Sequence, residues 1–357
     1  MAKMSVGFKI GSTSLKFAEI AHAKEKYRLR KLGVENFPFS EKEQRYLNNI
    51  SFLAEKIKEI IRTHNLNPRR IISGVEGESV VVRVIRVPYM KESELREAIK
   101  WEAEEHLPYP MEGISLDYHI LKKDLLGSQG KEMSVLLVGV KRETIDEHLQ
   151  IFQQAGLRPA IIDVNSLALY NIFGNINKGK TEGIALLNIG HSLTHLLVLS
   201  EDYPFLVRDI KFGGDDVARS LMQAFNITYI QAENLKKEGS FTGISKQLNR
   251  EIGEEEVESI IRTSLSELVK EVVRSFEYFT SNKGGSPVQK VILSGGCSLI
   301  KDIDSLLSQE LEVPVEMMDP FVNINYQKTK FENFLPLLSS VFAVPVGLAL
   351  RKVSHYD

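Results

Sequence analysis

The chain has 357 residues, of which 43% are apolar and 26% are charged, and 45 Lys and Arg against 47 Asp and Glu give a formal net charge of −2. A chain of this length predicts about two domains, and its apolar content excludes a disordered protein. The near balance of charge argues against a nucleic-acid-binding protein that works through bulk positive charge.

Cys297 is the one cysteine of the sequence, which rules out an intramolecular disulfide and nearly excludes a cysteine-based zinc site. The first residues lack the apolar segment of a secretory signal, so we expect a reducing cytoplasm. Residues 334–350 carry no charge and approach the length of a membrane span, but Pro336, Pro345 and Gly347 interrupt them. This segment is therefore predicted to be a buried loop and helix of a globular core.

Apolar spacing in the first half predicts short strands that alternate with helices. In chain order the predicted elements are strands over 6–10, 15–20 and 27–34, a helix over 48–63, strands over 70–74 and 79–87, a helix over 92–107, strands over 114–121 and 133–140, a helix over 143–155 and a strand over 160–164. The apolar stripe of helix 92–107 is typical of a core face, with a partner-binding groove as the alternative. Residues 88–160 are expected to form a small βα unit inserted between strands of the first core.

A second block begins near Gly183 with the same pattern of three strands joined by turns. Its predicted elements are strands over 184–189, 194–199 and 205–210, helices over 215–225, 229–237 and 255–280, a strand over 290–293 and a helix that ends near Leu311.

Two turns in these blocks are related by an internal repeat. Ile10 and Gly11 match Ile189 and Gly190 at a separation of 179 positions, and each pair opens a three-strand meander. Such turns present backbone N–H groups that bind anions, and Lys16 adds a point charge near the first of them. The pattern predicts a cleft in which both turns hold one phosphate chain; the alternative is that each turn is only a hairpin connection.

Two further glycine pairs favour the phosphate interpretation. Gly213 and Gly214 precede a predicted helix, and Gly295 and Gly296 follow an apolar strand. A glycine pair at such a junction lets a ligand approach the backbone and exposes the positive end of a helix.

Four stretches carry a family resemblance that covers nearly the whole chain. Residues 87–110 (VPYMKESELREAIKWEAEEHLPYP) and 155–164 (AGLRPAIIDV) are similar to the PilM family of type IV pilus assembly proteins, which are actin-like ATPases related to the cell-division protein FtsA. Residues 291–300 (VILSGGCSLI) resemble the adenosine-binding segment of these ATPases, and residues 343–351 resemble their closing helix. The resemblance implies an α/β, bilobed actin-like (FtsA-like) fold, with a duplicated core, an inserted small βα subdomain in the first lobe and ATP between the lobes.

By this resemblance we expect four subdomains. They are a first core subdomain of residues 1–87, 161–182 and 336–357, an inserted small subdomain of residues 88–160, a second core subdomain of residues 183–215 and 286–335, and a second small subdomain of residues 216–285.

The resemblance also implies a set of nucleotide-binding residues and no catalytic residue. The first phosphate loop would comprise Gly11, Ser12, Thr13, Ser14 and Lys16, and the second Gly190, His191, Ser192 and Thr194. Gly213, Gly214 and Asp215 would lie beside the sugar and phosphates, Glu233 with Lys236 or Lys237 would meet the ribose or adenine, and Gly295, Gly296 and Ser298 would back the adenosine.

Two positions depart from the family pattern. Relatives usually carry an aspartate two residues before the glycine of each phosphate loop, where this chain has Lys9 and Asn188. In hydrolysing relatives such carboxylates hold Mg²⁺, which prefers oxygen ligands, whereas a lysine repels the metal and can itself pair with a phosphate. The alternative for Lys9 is an edge lysine that points to water. We predict ATP as the cofactor, with little or no hydrolysis and no metal-ligating residue set; whether Mg²⁺ accompanies the nucleotide is left open by Lys9 and Asn188.

The resemblance further implies an adaptor at the inner face of the inner membrane. PilM-like proteins bind the short N-terminal cytoplasmic tail of the membrane protein PilN in a groove involving the first lobe, and couple this inner-membrane complex to the pilus motor. No nucleic-acid partner and no direct membrane insertion are expected. The alternatives are an active ATPase or sugar-type kinase of the same fold, and an FtsA-like polymerising, membrane-linked protein.

Overall fold

The computed structural model describes residues 3–23, 26–37, 49–124, 131–176, 182–200, 203–238, 253–283, 286–326 and 331–351. Its strands are β1 (Lys3–Ile10), β2 (Ser14–Ala23), β3 (Lys26–Asn36), β4 (Ile71–Val75), β5 (Val80–Pro88), β6 (Ile114–Asp124), β7 (Glu132–Lys141), β8 (Ile161–Val164), β9 (Glu182–Ile189), β10 (Thr194–Ser200), β11 (Tyr203–Ile210), β12 (Lys290–Ser294), β13 (Val315–Met317) and β14 (Ile324–Asn325). Its α-helices are α1 (Ile50–Thr63), α2 (Glu92–His106), α3 (Arg142–Gln154), α4 (Asn165–Ile176), α5 (Gly214–Phe225), α6 (Tyr229–Glu238), α7 (Glu254–Lys283), α8 (Ile303–Leu311), α9 (Leu335–Leu338) and α10 (Ala343–Leu350).

The first large sheet has the strand order β14-β3-β2-β1-β4-β8. Strands β1 to β3 form an antiparallel meander, and β4 and β8 extend the sheet in parallel from β1. Helix α10 packs against β1 and α4 at very close range. A Cβ on Gly7 would lie 1.9 Å from the Pro345 carbonyl oxygen, and one on Gly347 would lie 1.9 Å from that of Ala168. Glycine at both positions is therefore what lets this helix lie on the sheet.

The second large sheet repeats this topology, with the order β11-β10-β9-β12-β13. Strands β9 to β11 form the meander, and β12 and β13 run parallel to β9. The register also repeats, since Ile10 pairs with Leu15 in the first hairpin and Ile189 pairs with Thr194 in the second. The internal repeat predicted from the sequence is confirmed as a duplication of the core.

The third sheet, of order β5-β7-β6, forms a small unit with α2. Leu95, Ile99 and Ala103 of α2 share one buried cluster with Val135 and Leu137 of β7. The apolar stripe of this helix is thus a core face, as predicted.

Strand pairing and packing bear on the expected limits of this small unit, residues 88–160. Strand β5 pairs with β7 over its whole length, although the sequence analysis assigned it to the first core. Helix α3 packs against α1, and its Ile151 and Phe152 belong to the apolar cluster of the first lobe. We therefore propose that the inserted unit begins with β5 and ends with β7.

Three parts of the chain between the sheets differ from expectation. Helix α4 was not predicted, because its apolar run has no clear helical period. The chain returns to the first sheet before residue 336, since β14 pairs with β3 and Phe321 packs in an apolar cluster that includes Leu29 and Leu32 of β3. The segment after Gly295 is a 3₁₀ turn over Gly296–Leu299 before α8 begins, rather than one helix.

The uncharged segment 334–350 forms short helical turns that lead to α10; its helix is buried as predicted, but the preceding turns are only partly buried, since Phe334 and Leu338 are exposed. Every residue of α10 is buried, between β1, β2 and α4. None of the helices within the described ranges has both the length and the apolar character to cross a membrane.

Candidate functional site

The two repeated turns meet across the gap between the lobes. In each, the glycine N–H (Gly11 or Gly190) donates at 2.9 Å to the carbonyl oxygen three residues further along. Ser192 Oγ donates to Ser12 Oγ at 3.2 Å, so the turns are in direct contact. A cleft of about 350 Å³ opens beside them, which falls within the range of about 300–1,000 Å³ typical of small-molecule sites.

Most of the predicted nucleotide-binding residues line this cleft. They are Gly11, Ser12, Thr13, Ser14, Lys16, Gly190, His191, Ser192, Gly214, Glu233, Lys236, Lys237, Gly295 and Gly296. Lys9, Glu76, Asn188 and Cys297 line it as well. The structure thus brings both turns and a member of each later glycine pair into one cavity.

Four residues that were predicted to contact the nucleotide lie outside the lining of the cleft, namely Thr194, Gly213, Asp215 and Ser298. Thr194 and Ser298 are buried, and their hydroxyls donate to backbone carbonyls at 2.8 and 2.6 Å. A Cβ on Gly213 would lie 2.3 Å from a carbonyl oxygen of the second turn. The Asp215 carboxylate accepts hydrogen bonds from a tyrosine and an arginine at 2.7 and 2.8 Å. These residues fix the shape of the cleft wall.

Lys236 makes the central polar contacts of the cleft wall formed by the second lobe. Its buried ammonium donates to the Gly214 carbonyl at 2.8 Å and to the Glu233 carboxylate, which also pairs with Lys237 at 3.3 Å. A Cβ on Gly214 would lie 2.7 Å from the Cys297 sulfur and 2.9 Å from the Lys236 ammonium, so this position has no room for a side chain. Burial raises the pKa of Cys297 to about 11 and keeps its thiol neutral.

Lys9 and Lys16 form the cationic part of the first-lobe wall. They stand directly opposite each other on β1 and β2, so both side chains project from the same face of the hairpin. Burial, followed by the charge of Lys9, lowers the pKa of Lys16 to about 8. The alternative in which Lys9 points to water is wrong, because its side chain is only 13% exposed and lies 3.3 Å from Glu76.

The sequence analysis missed a charged network that joins the two lobes. His195, the duplicate of Lys16, lies 2.6 Å from Asp209 through Nδ1 and 3.0 Å from Glu76 through Nε2. Burial alone would lower the pKa of His195, but the two carboxylates raise it to about 9, so the ring is an imidazolium. Burial would likewise raise the pKa of Glu76, but Lys9 and His195 bring it well below its usual range.

Mg²⁺ is the cation that the family resemblance implies, and the residues of the cleft do not fit it. Lys9 and Asn188 stand where carboxylates were expected, and the Asn188 amide donates to a buried serine hydroxyl at 2.8 Å. Glu76 Oε2 already faces Lys9, His195 and Asn165, the last at 2.6 Å. Across the described part of the chain, no group of three or more His, Cys, Asp and Glu side chains could hold a metal ion.

A second, wider groove of about 960 Å³ lies between α3 and the loop that leaves α2, and we call it the α3 groove. Apolar side chains line one part of it, namely Tyr109, Ile114 and Leu149. Four carboxylates and two cations line the rest, namely Glu112, Glu143, Asp146, Glu147, Lys141 and Arg142. This combination suits a short segment with apolar and basic side chains.

Comparison with known proteins gives the same fold. A family model described as type IV pilus assembly protein PilM matches residues 7–353. The structure of a PilM–PilN type IV pilus biogenesis complex is similar, with 27% identity, a TM-score of 0.80, and coverage of 98% of this chain and 99% of the other. The ethanolamine utilization protein EutJ of Carboxydothermus hydrogenoformans shares the fold at 11% identity and a TM-score of 0.55, covering 98% and 90% of the two chains. With the duplicated sheets, these likenesses confirm the predicted actin-like fold.

Proposed function

The chain belongs to the type IV pilus assembly protein PilM family, and we propose that it is an adaptor that binds ATP between its lobes and recruits the cytoplasmic tail of a PilN-like membrane protein. The likeness to PilM in a PilM–PilN complex supports the partner. Through that partner the protein sits at the inner face of the inner membrane and couples the assembly complex to the pilus motor.

The meeting of the two repeated turns is the observation that carries the nucleotide proposal. Ser12 and Ser192 lie 3.2 Å apart at the mouth of a cavity that Lys16 also lines. Backbone amides and hydroxyls of two facing turns, together with a lysine, are the donors that a polyphosphate needs. Glu233 and Lys236 offer polar atoms for the sugar on the opposite wall.

Calorimetric titration with ATP tests this site through two matched glycine variants. Gly214→Ala places a methyl group against Cys297 and Lys236, so we expect it to weaken ATP binding about tenfold. Gly174→Ala is the control, because a Cβ at that helical position meets no atom within 4 Å. The proposal fails if the wild-type protein binds no ATP, or if both variants bind it like the wild type.

We propose that the protein hydrolyses ATP slowly or not at all. Lys9 and Asn188 replace the two carboxylates that would hold a metal near the terminal phosphate, and both are engaged with neighbouring side chains. A phosphate-release assay with Mg²⁺ should give little or no release above that of the buffer. Sustained turnover would favour the active ATPase or kinase, and ATP-dependent sedimentation of filaments would favour the polymerising protein.

The α3 groove is our candidate for the partner tail. Its apolar floor and the excess of acidic over basic side chains suit a short peptide with apolar and basic residues. The groove belongs to the first lobe and adjoins the inserted unit, because α3 packs on α1 and the loop after α2 forms its other wall.

Fluorescence titration with the N-terminal peptide of a PilN-like protein tests the groove. Asp146→Lys with Glu147→Lys reverses two exposed charges on α3, so we expect peptide affinity to fall at least tenfold. Glu104→Lys, an exposed change on α2 outside the groove, is the control and should bind normally. Equal affinity for all variants would reject the groove, and no binding to the wild type would count against the adaptor role.

A further inference from the structure

The first-lobe hairpin carries an arrangement that is unfavourable by itself. Lys9 and Lys16 are directly opposed on β1 and β2, and both line the cleft. Like charges at opposed positions of a strand pair destabilise it. Glu76 makes its direct ion pair with Lys9, where the Nζ to Oε2 distance is 3.3 Å, and its charge only partly offsets the repulsion at Lys16. An anion placed between the two ammonium groups would relieve it for both lysines.

The cleft as a whole has more cations than anions. Its ionisable lining comprises four lysines and two glutamates, in addition to His191 and Cys297. Burial lowers the pKa of His191, and the Cys297 thiol stays neutral, so neither offsets the excess. The lining therefore carries an excess of positive charge, which favours bound phosphates.

Both carboxylates of the cleft are already engaged with cationic or amide groups. Glu76 Oε2 faces the Lys9 ammonium, the His195 ring at 3.0 Å and the Asn165 amide at 2.6 Å. Glu233 is held between two lysines. A divalent cation carried in by ATP would meet an ammonium group at the position where relatives offer a carboxylate, and the two charges repel each other.

We propose that this cleft binds its nucleotide as the metal-free polyphosphate, and that the Lys9 ammonium takes the place of the divalent cation. This inference rests on the proposed binding of ATP between the lobes. Lys9 is then a specificity-determining residue that selects free ATP over its magnesium complex, and Lys16 binds the same phosphates from the opposite strand.

The test compares ATP titrations of the wild-type protein in EDTA and in excess Mg²⁺, at matched ionic strength. We expect binding in EDTA and at least tenfold weaker binding in Mg²⁺. Binding that requires Mg²⁺, or is tighter with it, would overturn the inference and leave the proposed ATP site intact. Absence of binding in both conditions would remove the proposed function and this inference together.

Two variants test whether Lys9 causes the preference for metal-free ATP. Lys9→Met keeps the apolar part of the side chain and leaves Glu76 paired with His195, so we expect the fold to be retained. The affinity for ATP in EDTA should fall about tenfold, and Mg²⁺ should no longer weaken binding. Lys9→Asp with Asn188→Asp restores both carboxylates and should make binding stronger in Mg²⁺ than in EDTA. Unchanged metal preference in both variants, with a native circular dichroism spectrum, would overturn the role of Lys9.

Discussion

The two hairpins of the duplicated core have the same backbone and opposite chemistry. Lys9 faces Lys16 in the first, and Asn188 faces His195 at the equivalent positions of the second. The lysines line an open cleft, whereas His195 is 1% exposed and sealed between Asp209 and Glu76. Both turns face the cleft, but the strand residue after the first turn, Lys16, is open to a ligand, whereas its counterpart His195 joins the lobes.

This contrast shows that two copies of one fold can take different roles when a few side chains differ. The turn geometry is common to both copies and makes two facing anion sites. The strand residues that follow each turn differ, since Lys16 lines the cleft and His195 is held in an internal ion pair. The account therefore predicts that removing the His195 ion pair affects mainly stability, while removing Lys16 affects mainly binding.

The largest expected effect is on stability, through Asp209→Ala. This change removes one carboxylate from a buried imidazolium and also removes the acceptor of the Gly77 N–H, so the free energy of unfolding should fall by about 3 kcal/mol. Urea denaturation measures it. Lys270→Ala breaks an exposed ion pair on α7 and should change stability by less than about 0.5 kcal/mol. A similar small change for Asp209→Ala would mean that the second hairpin does not join the lobes.

Lys16→Gln should weaken ATP binding without lowering stability. It removes a charge-assisted contact to the phosphates, so ATP affinity measured in EDTA should fall about tenfold or more. It also removes a desolvated cation opposed to Lys9, so the midpoint of thermal unfolding should not fall. Lys58→Gln, an exposed lysine on α1, is the control for both measurements. A loss of stability without a loss of binding would reverse the assignment of the two hairpins.

The two hairpins should affect the pH dependence of stability in opposite directions, with a fall from His195 and a rise from Lys16. His195 holds its proton in the folded state up to about pH 9 but releases it near 6.5 when unfolded, so its contribution is complete below pH 6.5 and is lost as the pH rises through 9. Lys16 releases its proton near pH 8 when folded and near 10.5 when unfolded, so stability rises over that range. Chemical denaturation from pH 6 to 10 should lose the falling limb in His195→Gln and the rising limb in Lys16→Gln.

The smallest expected effect is proton uptake on ATP binding. The groups that face Lys16 are Lys9, Glu76, Cys297 and Lys237, and the site leaves it about half protonated at pH 8. A bound triphosphate favours the ammonium form, so binding at pH 8 should take up about half a proton. Calorimetry in buffers of different ionisation enthalpy measures this uptake. No uptake would mean that the phosphates do not approach Lys16.

Local patterns were enough to predict the repeated core. Glycine turns at a fixed separation located both hairpins, and short apolar runs bounded by turn residues located most strands. Helix α4 was missed because its apolar residues cover more than one face, and β13 and β14 are too short to show a period. These elements form because tertiary packing overrides weak local preference.

Some residues of the candidate site could likewise be predicted from the sequence, and others could not. Lys16 and the turn residues were found because a motif marks them. Glu76 was missed because it lies in a loop after β4 with no motif, and its partner His195 is 119 positions away. Asp215 and Ser298 were predicted to contact the nucleotide from motif position, and the structure places them outside the cleft lining, bonded to neighbouring groups. Sequence reasoning found the residues of each turn, and it could not find a contact that exists only when the lobes come together.

The most direct test of the account is the response of backbone amides in both turns to one ATP titration, followed by nuclear magnetic resonance. The account predicts that the amides of Ser12 and Thr13 in the first turn and of His191 and Ser192 in the second shift together, with a single saturation curve. A response confined to one turn, or two curves with different midpoints, would contradict the claim that the duplicated turns hold one polyphosphate between them.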